Sequence, residues 1–248
     1  MKTHQNVFLA LAAFYFLIGC ATTVHDAVHH PPNPNAVAVT LPNRIALLPV
    51  KVAIHEIGVG GSIEEVPQWS RVGCRLVDCR VREQLTSRSG IQVVIPSGLS
   101  GQDQQLLEQH RALYEQVAAN RLQIQNIPAW KSKIEHSDDA IGPGLAPLKD
   151  TLGAEAVLFV SGDDYCASGG RVATFIVAAF FGAIVPMGHS VIHVGLVDVE
   201  TGAVLWTDTV YSDTYSLKDE TAVETMVDQA FSNFPKPAGS GGAHAHAQ

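Results

Sequence analysis

The sequence predicts an α/β fold, a mixed sheet with helices packed against it that ends in a C-terminal β-hairpin followed by an amphipathic helix. Three observations carry that reading. Ala156-Val157-Leu158-Phe159-Val160 is a short, wholly apolar run of the kind a sheet buries on both faces. Residues 191–199 alternate, with Ile192, Val194 and Leu196 on one side and Val197 and Val199 on the other, which marks a second interior strand. Glu200-Thr201-Gly202 then supplies a bulged turn in which Gly202 takes positive φ, and residues 203–211 resume as the partner strand.

The chain begins Met1-Lys2-Thr3-His4-Gln5-Asn6, and residues 7–18 form an apolar run as long as a secretory h-region and shorter than a membrane span. Leu17-Ile18-Gly19-Cys20 closes the run and resembles a lipobox, at which bacterial lipoprotein precursors are acylated on the cysteine and cut just before it. The resemblance implies a signal peptide over residues 1–19, acyl chains such as palmitate on Cys20, and the lipid bilayer as partner through Cys20. Ala21 stands where an Asp would favour retention at the inner membrane. The expected location is therefore the outer membrane, with the domain facing the periplasm.

Residues 20–43 follow as the lipidated cysteine and a flexible tether, rich in Pro, Asn, Thr and His. His25, His29 and His30 there, and His244 and His246 near the end, read as parts of His-containing tails, so no metal site is expected. Export places Cys74, Cys79 and Cys166 where disulfides are allowed. Cys74 and Cys79 lie five apart on a predicted helix and point in different directions, so any bridge joins Cys166 to one of them. Buried thiols are the favoured reading.

Residues 44–235 make the α/β domain. Arg44-Ile45-Ala46-Leu47-Leu48-Pro49-Val50 is the first strand, and the Gly-rich residues 58–62 read as a turn because they match no phosphate-binding pattern. A helix starts with Pro67 in its first turn, although Ser62 and Glu65 also form a capping-box pattern, and carries Trp69, Val72, Leu76 and Leu85 as apolar positions, while Arg71, Arg75, Arg80 and Arg82 form a solvated face. Ile91-Gln92-Val93-Val94-Ile95-Pro96 is the next strand, parallel to the first across that helical crossover. Residues 102–125 place Leu106, His110, Leu113, Val117 and Ile124 at helical spacing, as a helix covering the sheet. Residues 126–144 are loop-like, and residues 145–152 make a short helix closed by Gly153.

Residues 172–185 are the most apolar stretch after the leader, too short to span a bilayer as a helix. They are expected to pack within the chain or between subunits. Thr221 and Glu224 form a capping box ahead of Val223, Met226, Val227, Ala230, Phe231 and Phe234 on one helical face, and residues 236–248 are a disordered tail.

Arg44-Ile45-Ala46-Leu47-Leu48-Pro49, Leu152-Gly153-Ala154-Glu155-Ala156-Val157-Leu158 and residues 196–206 come in an order that resembles bacterial envelope lipoproteins with a curli-secretion-lipoprotein or TolB-N-terminal type of α/β domain. That resemblance covers residues 44–234 and implies roles in envelope assembly, secretion or scaffolding, with envelope proteins or further copies of the chain as partners. None of the three motifs is catalytic. The chain lacks the long alternating hairpins of the pore-forming secretion lipoprotein.

With 46% hydrophobic and 16% charged residues the chain has ample material for a core, and its net charge of −8 with no basic block excludes a phosphate-tracking nucleic-acid surface. The expected function is non-catalytic, without a cofactor. The competing reading is a periplasmic metal-dependent hydrolase built from Asp163, Asp164, His189 and His193, which could meet near one sheet edge. Against it, the chain has no Gly-x-Ser-x-Gly elbow and no His-Glu-x-x-His motif.

Overall fold

The computed structural model describes residues 24–29, 41–124, 127–130, 139–182 and 187–235. Residues 1–19, expected as a signal peptide, Cys20, and residues 236–248, expected as a tail, lie outside them. In chain order the elements are β1 (Val24–His29), β2 (Arg44–Leu47), β3 (Lys51–Ile57), β4 (Ile63–Glu65), α1 (Pro67–Thr86), β5 (Gln92–Val94), α2 (Gly101–Ile124), α3 (Lys149–Leu152), β6 (Ala156–Ala167), α4 (Gly169–Phe180), β7 (Gly188–Asp198), β8 (Val204–Ser212) and α5 (Glu220–Ala230).

The apolar run of the sequence becomes the first half of β6, the central strand of one mixed sheet ordered β1-β8-β7-β6-β2-β5. On one side β7 pairs with it antiparallel along its whole length; on the other, β2 and β3 share it in succession, both parallel. Pro49 separates those two short strands. It has no N–H to give the ladder, so pairing stops and restarts two residues later. The parallel pairing of β2 with β5 is the one the crossover predicted.

Because side chains alternate along a strand, each strand feeds two cores. Ile45, Leu47, Ala156, Leu158, Val160, Ile192, Val194 and Leu196 face α1 and α5, which bring Val77, Val81, Leu85, Val223, Met226, Val227 and Phe231. Ala46, Leu48, Val157, Phe159, Val197 and Val199 face α2 and the segment around Leu145, Leu148 and Leu152. Leu196 and Val197 end in different cores because consecutive side chains of β7 point to opposite faces, as the alternation indicated. The β7–β8 register shift beside them places the extra residue, Leu205, on β8. Fully burying each such side chain stabilises the fold by roughly 1.5–3 kcal/mol.

Pro67 occupies the first turn of α1, as expected, and Gly153 closes α3 at φ 60°. Four expectations are corrected. Val24–His29, inside the stretch taken for a tether, adds β1 antiparallel to β8. α5 is capped by Asp219, whose carboxylate accepts from the Ala222 N–H, and not by the Thr221–Glu224 box. α2 buries Leu107, His110, Arg111, Tyr114 and Ala118 and leaves Leu113 out. The buried face is partly polar, and Arg111 is held in it by donating to the carbonyls of Pro49 (2.7 Å) and Val160 (3.1 Å). Lastly, the within-chain part of the expectation for residues 172–185 is corrected, since none of the residues of α4 is buried, while residues 183–185 of the same stretch lie outside the described residues. Among the described residues no helix is long and apolar enough to cross a membrane.

Candidate functional site

Beyond the end of α2's cover, one face of the sheet carries His55 from β3, Tyr165 from β6, His189 from β7 and Tyr211 from β8. Register puts His55 opposite Tyr165 and Tyr165 opposite His189. The rings stack in series, with centroids 4.9 Å apart for His55–Tyr165, 4.9 Å for Tyr165–His189 and 5.5 Å for His189–Tyr211. Such cross-strand pairs tie neighbouring strands together through their ring faces, and the His55 Nδ1 is buried without a hydrogen-bond partner among the described residues. Sequence reading singled out His189 alone of the four. The alternation of Lys51-Val52-Ala53-Ile54-His55-Glu56-Ile57 was the signal for β3, and hence for His55.

Asp163 lies on the same face. Burial raises its carboxyl above the ordinary range, opposed by the nearby imidazoles of His55 and His189. Next to it a cavity of about 500 Å³ opens between the sheet and α2, lined by Lys51, Glu115, Gln116, Ser161, Asp163 and His193 among others. The His193 Nδ1 lies 2.9 Å from the Thr209 hydroxyl, and burial pushes its imidazole down to about 4. It is therefore neutral at neutral pH.

Asp164 is elsewhere. As the next residue on β6 it points to the opposite face and is 1% exposed. Its carboxylate accepts from the Ser216 hydroxyl at 2.6 Å and the Leu217 N–H at 2.8 Å, and so clasps the turn between β8 and α5. The four residues expected to meet at one edge are thus split, three on one face and Asp164 on the other. No group of three or more His, Cys, Asp or Glu among the described residues is placed to hold a metal ion.

The thiols are free: Cys74 and Cys166 are half-buried, and Cys79 is exposed on α1, contrary to the reading of all three as buried. Cys166 donates toward Asp164 at 3.3 Å, and burial raises its thiol above the ordinary value.

No protein-family model matches the chain, and no curated protein matches it. Among solved structures it aligns with two PelC dodecamers from Paraburkholderia phytofirmans. One, a point variant, is 13% identical with a TM-score of 0.35, the alignment covering 87% of this chain and 99% of that one. The other is 15% identical with a TM-score of 0.33, covering 85% and 95%. A likeness at this level carries no argument about this chain.

Proposed function

We propose that this chain is a lipid-anchored protein of the bacterial envelope, held at the outer membrane through Cys20, that acts by binding and assembly and not by catalysis. The observation that carries the reading is Leu17-Ile18-Gly19-Cys20 at the end of the apolar residues 7–18. The resemblance to curli-secretion and TolB-N-terminal domains supports it, as does the division of Asp163 from Asp164 across the sheet. The test is metabolic labelling with palmitate beside membrane fractionation. Wild type takes up label and sediments with membranes, and Cys20→Ser loses both properties. A Cys20→Ser chain that stays labelled and membrane-bound would remove the anchor.

A second reading, a periplasmic metal-dependent hydrolase, is favoured by one feature: Asp163 and His193 both line the same cavity. Stoichiometric zinc or manganese in the purified protein, lost in Asp163→Asn and His193→Asn, would establish it. Metal-free protein with an unchanged fold would remove it.

A further inference from the structure

One end of the sheet carries Val59, Ile63, Val172, Ile176, Val177, Phe180 and Phe181 among the exposed apolar side chains of the described residues. β6 ends there and runs through Ser168, whose hydroxyl caps α4 by accepting from the Arg171 N–H at 3.2 Å. β3 runs parallel to β6 and ends beside it, so the turn between β3 and β4 falls at the same end. Val59 in that turn packs against the start of α4, where its methyl stands 2.7 Å from the position a Cβ on Gly170 would take. Exposure climbs along α4, from 36% at Val172 to 54% at Ile176, 60% at Val177, 85% at Phe180 and 86% at Phe181. From residue 172 through 182 there is no charged side chain, and Arg171 sits at the base with its guanidinium on the Gly58 carbonyl. A soluble surface does not leave such a run bare without a partner.

The position of the N-terminus says which partner. β1 runs antiparallel to β8 with Val24 opposite Ser212, Ser212 opposite Ser190, and Ser190 opposite Asp164, so the chain enters the fold at the end where β6 stops and α4 begins. Cys20 lies four residues before Val24, and four residues span at most ~14 Å. An acylated Cys20 would hold this end of the sheet within that distance of the bilayer surface. α4, twelve residues and about 18 Å long, is too short to cross and long enough to enter one leaflet.

We infer that α4, with Val59 and Ile63 of the β3–β4 hairpin, is a membrane-interface element: its apolar side chains enter the headgroup and upper acyl region beside the Cys20 anchor and fix the orientation of the domain on the bilayer. The inference rests on the lipid-anchor reading, and the test separates the two. Residues 20–248 carrying Cys20→Ser are mixed with vesicles of phosphatidylethanolamine and phosphatidylglycerol, so that any binding comes from the protein surface alone. The chain co-sediments with the vesicles, and a Trp at position 180 (Phe180→Trp) is quenched by brominated acyl chains. Ile176→Glu with Phe180→Glu lowers the partition coefficient by about tenfold or more and leaves the melting temperature unchanged, since both side chains already face solvent. Binding indifferent to the two charges, or no quenching at position 180, overturns the inference. So does a vesicle-independent oligomer that the charges dissociate, because the surface would then receive a second copy. Palmitate labelling of the wild type reads the anchor alone, and its failure leaves the vesicle result standing.

Discussion

The ring of Tyr114 on α2 lies directly over Gly195 on β7, so close that a Cβ at residue 195 would stand 2.1 Å from two ring carbons. The ring has nowhere to go. Its hydroxyl is 2.7 Å from the Thr207 hydroxyl, it stacks on Phe159 at 5.6 Å, and it is wholly buried. Gly195→Ala is therefore expected to cost about 2–3 kcal/mol, read as a lower urea midpoint with unchanged slope. Introduced into a Tyr114→Ala chain, the same substitution should cost under about 0.5 kcal/mol, because the clash has gone. Equal costs in both backgrounds would mean the glycine matters for some reason other than this ring.

At the β7–β8 turn, Gly202 has φ 71° and its carbonyl accepts from the Ile141 N–H at 2.8 Å. Asp198 organises the turn by accepting from the N–H groups of Glu200 and Thr201. A Cβ on Gly202 would meet the Gly142 carbonyl oxygen at 1.9 Å, so side chains are disfavoured both by conformation and by collision with backbone. Gly153 is the control, since its φ is 60° but its nearest atom to an added Cβ is an Arg44 nitrogen at 3.4 Å. Gly153→Ala should lose about 1–2 kcal/mol from left-handed strain, and Gly202→Ala clearly more. Denaturant midpoints of the two variants compare them directly, and equal losses would remove the collision from the account.

Much of this fold was legible because burial writes a period of two into strands. Ile192, Val194 and Leu196 against Val197 and Val199 foretold not only β7 but the division of its side chains between two cores. The same rule, applied to Asp163 and Asp164 as neighbours on a strand, separates them, and bringing both to one sheet edge set it aside. β1 was not legible. Val24–His29 sits among Pro, Asn and His, and its order comes from the free edge of β8, which only the assembled sheet presents. Nor does the composition of residues 172–185 say which way they face. An apolar helix is written the same way for a core, a subunit contact or a lipid surface, and only the strands around α4 place it outside. The site was half visible for a similar reason: His189 and His193 stand out in an alternating run, whereas His55, Tyr165 and Tyr211 become neighbours only through pairing across β3, β6, β7 and β8.

His193 gives the fold a pH dependence whose sign can be worked out. Its folded value of about 4 lies below the ordinary imidazole value of 6.5, so the unfolded chain takes up the proton first. The neutral ring contributes its full stability above about pH 6.5 and loses it progressively as pH falls toward 4, by at most about 3 kcal/mol. Asp163 lines the same cavity and acts in the opposite sense, because a raised carboxyl favours the folded state as pH falls; Lys51 and Glu115 also face that space. The difference between wild type and His193→Asn isolates the imidazole, since the amide can keep a polar contact to Thr209 and does not titrate. Urea unfolding at pH 7.5, 6, 5 and 4.5 should show wild type losing stability relative to the variant through this window. Parallel curves would mean that His193 is protonated in the folded state as readily as in the unfolded chain.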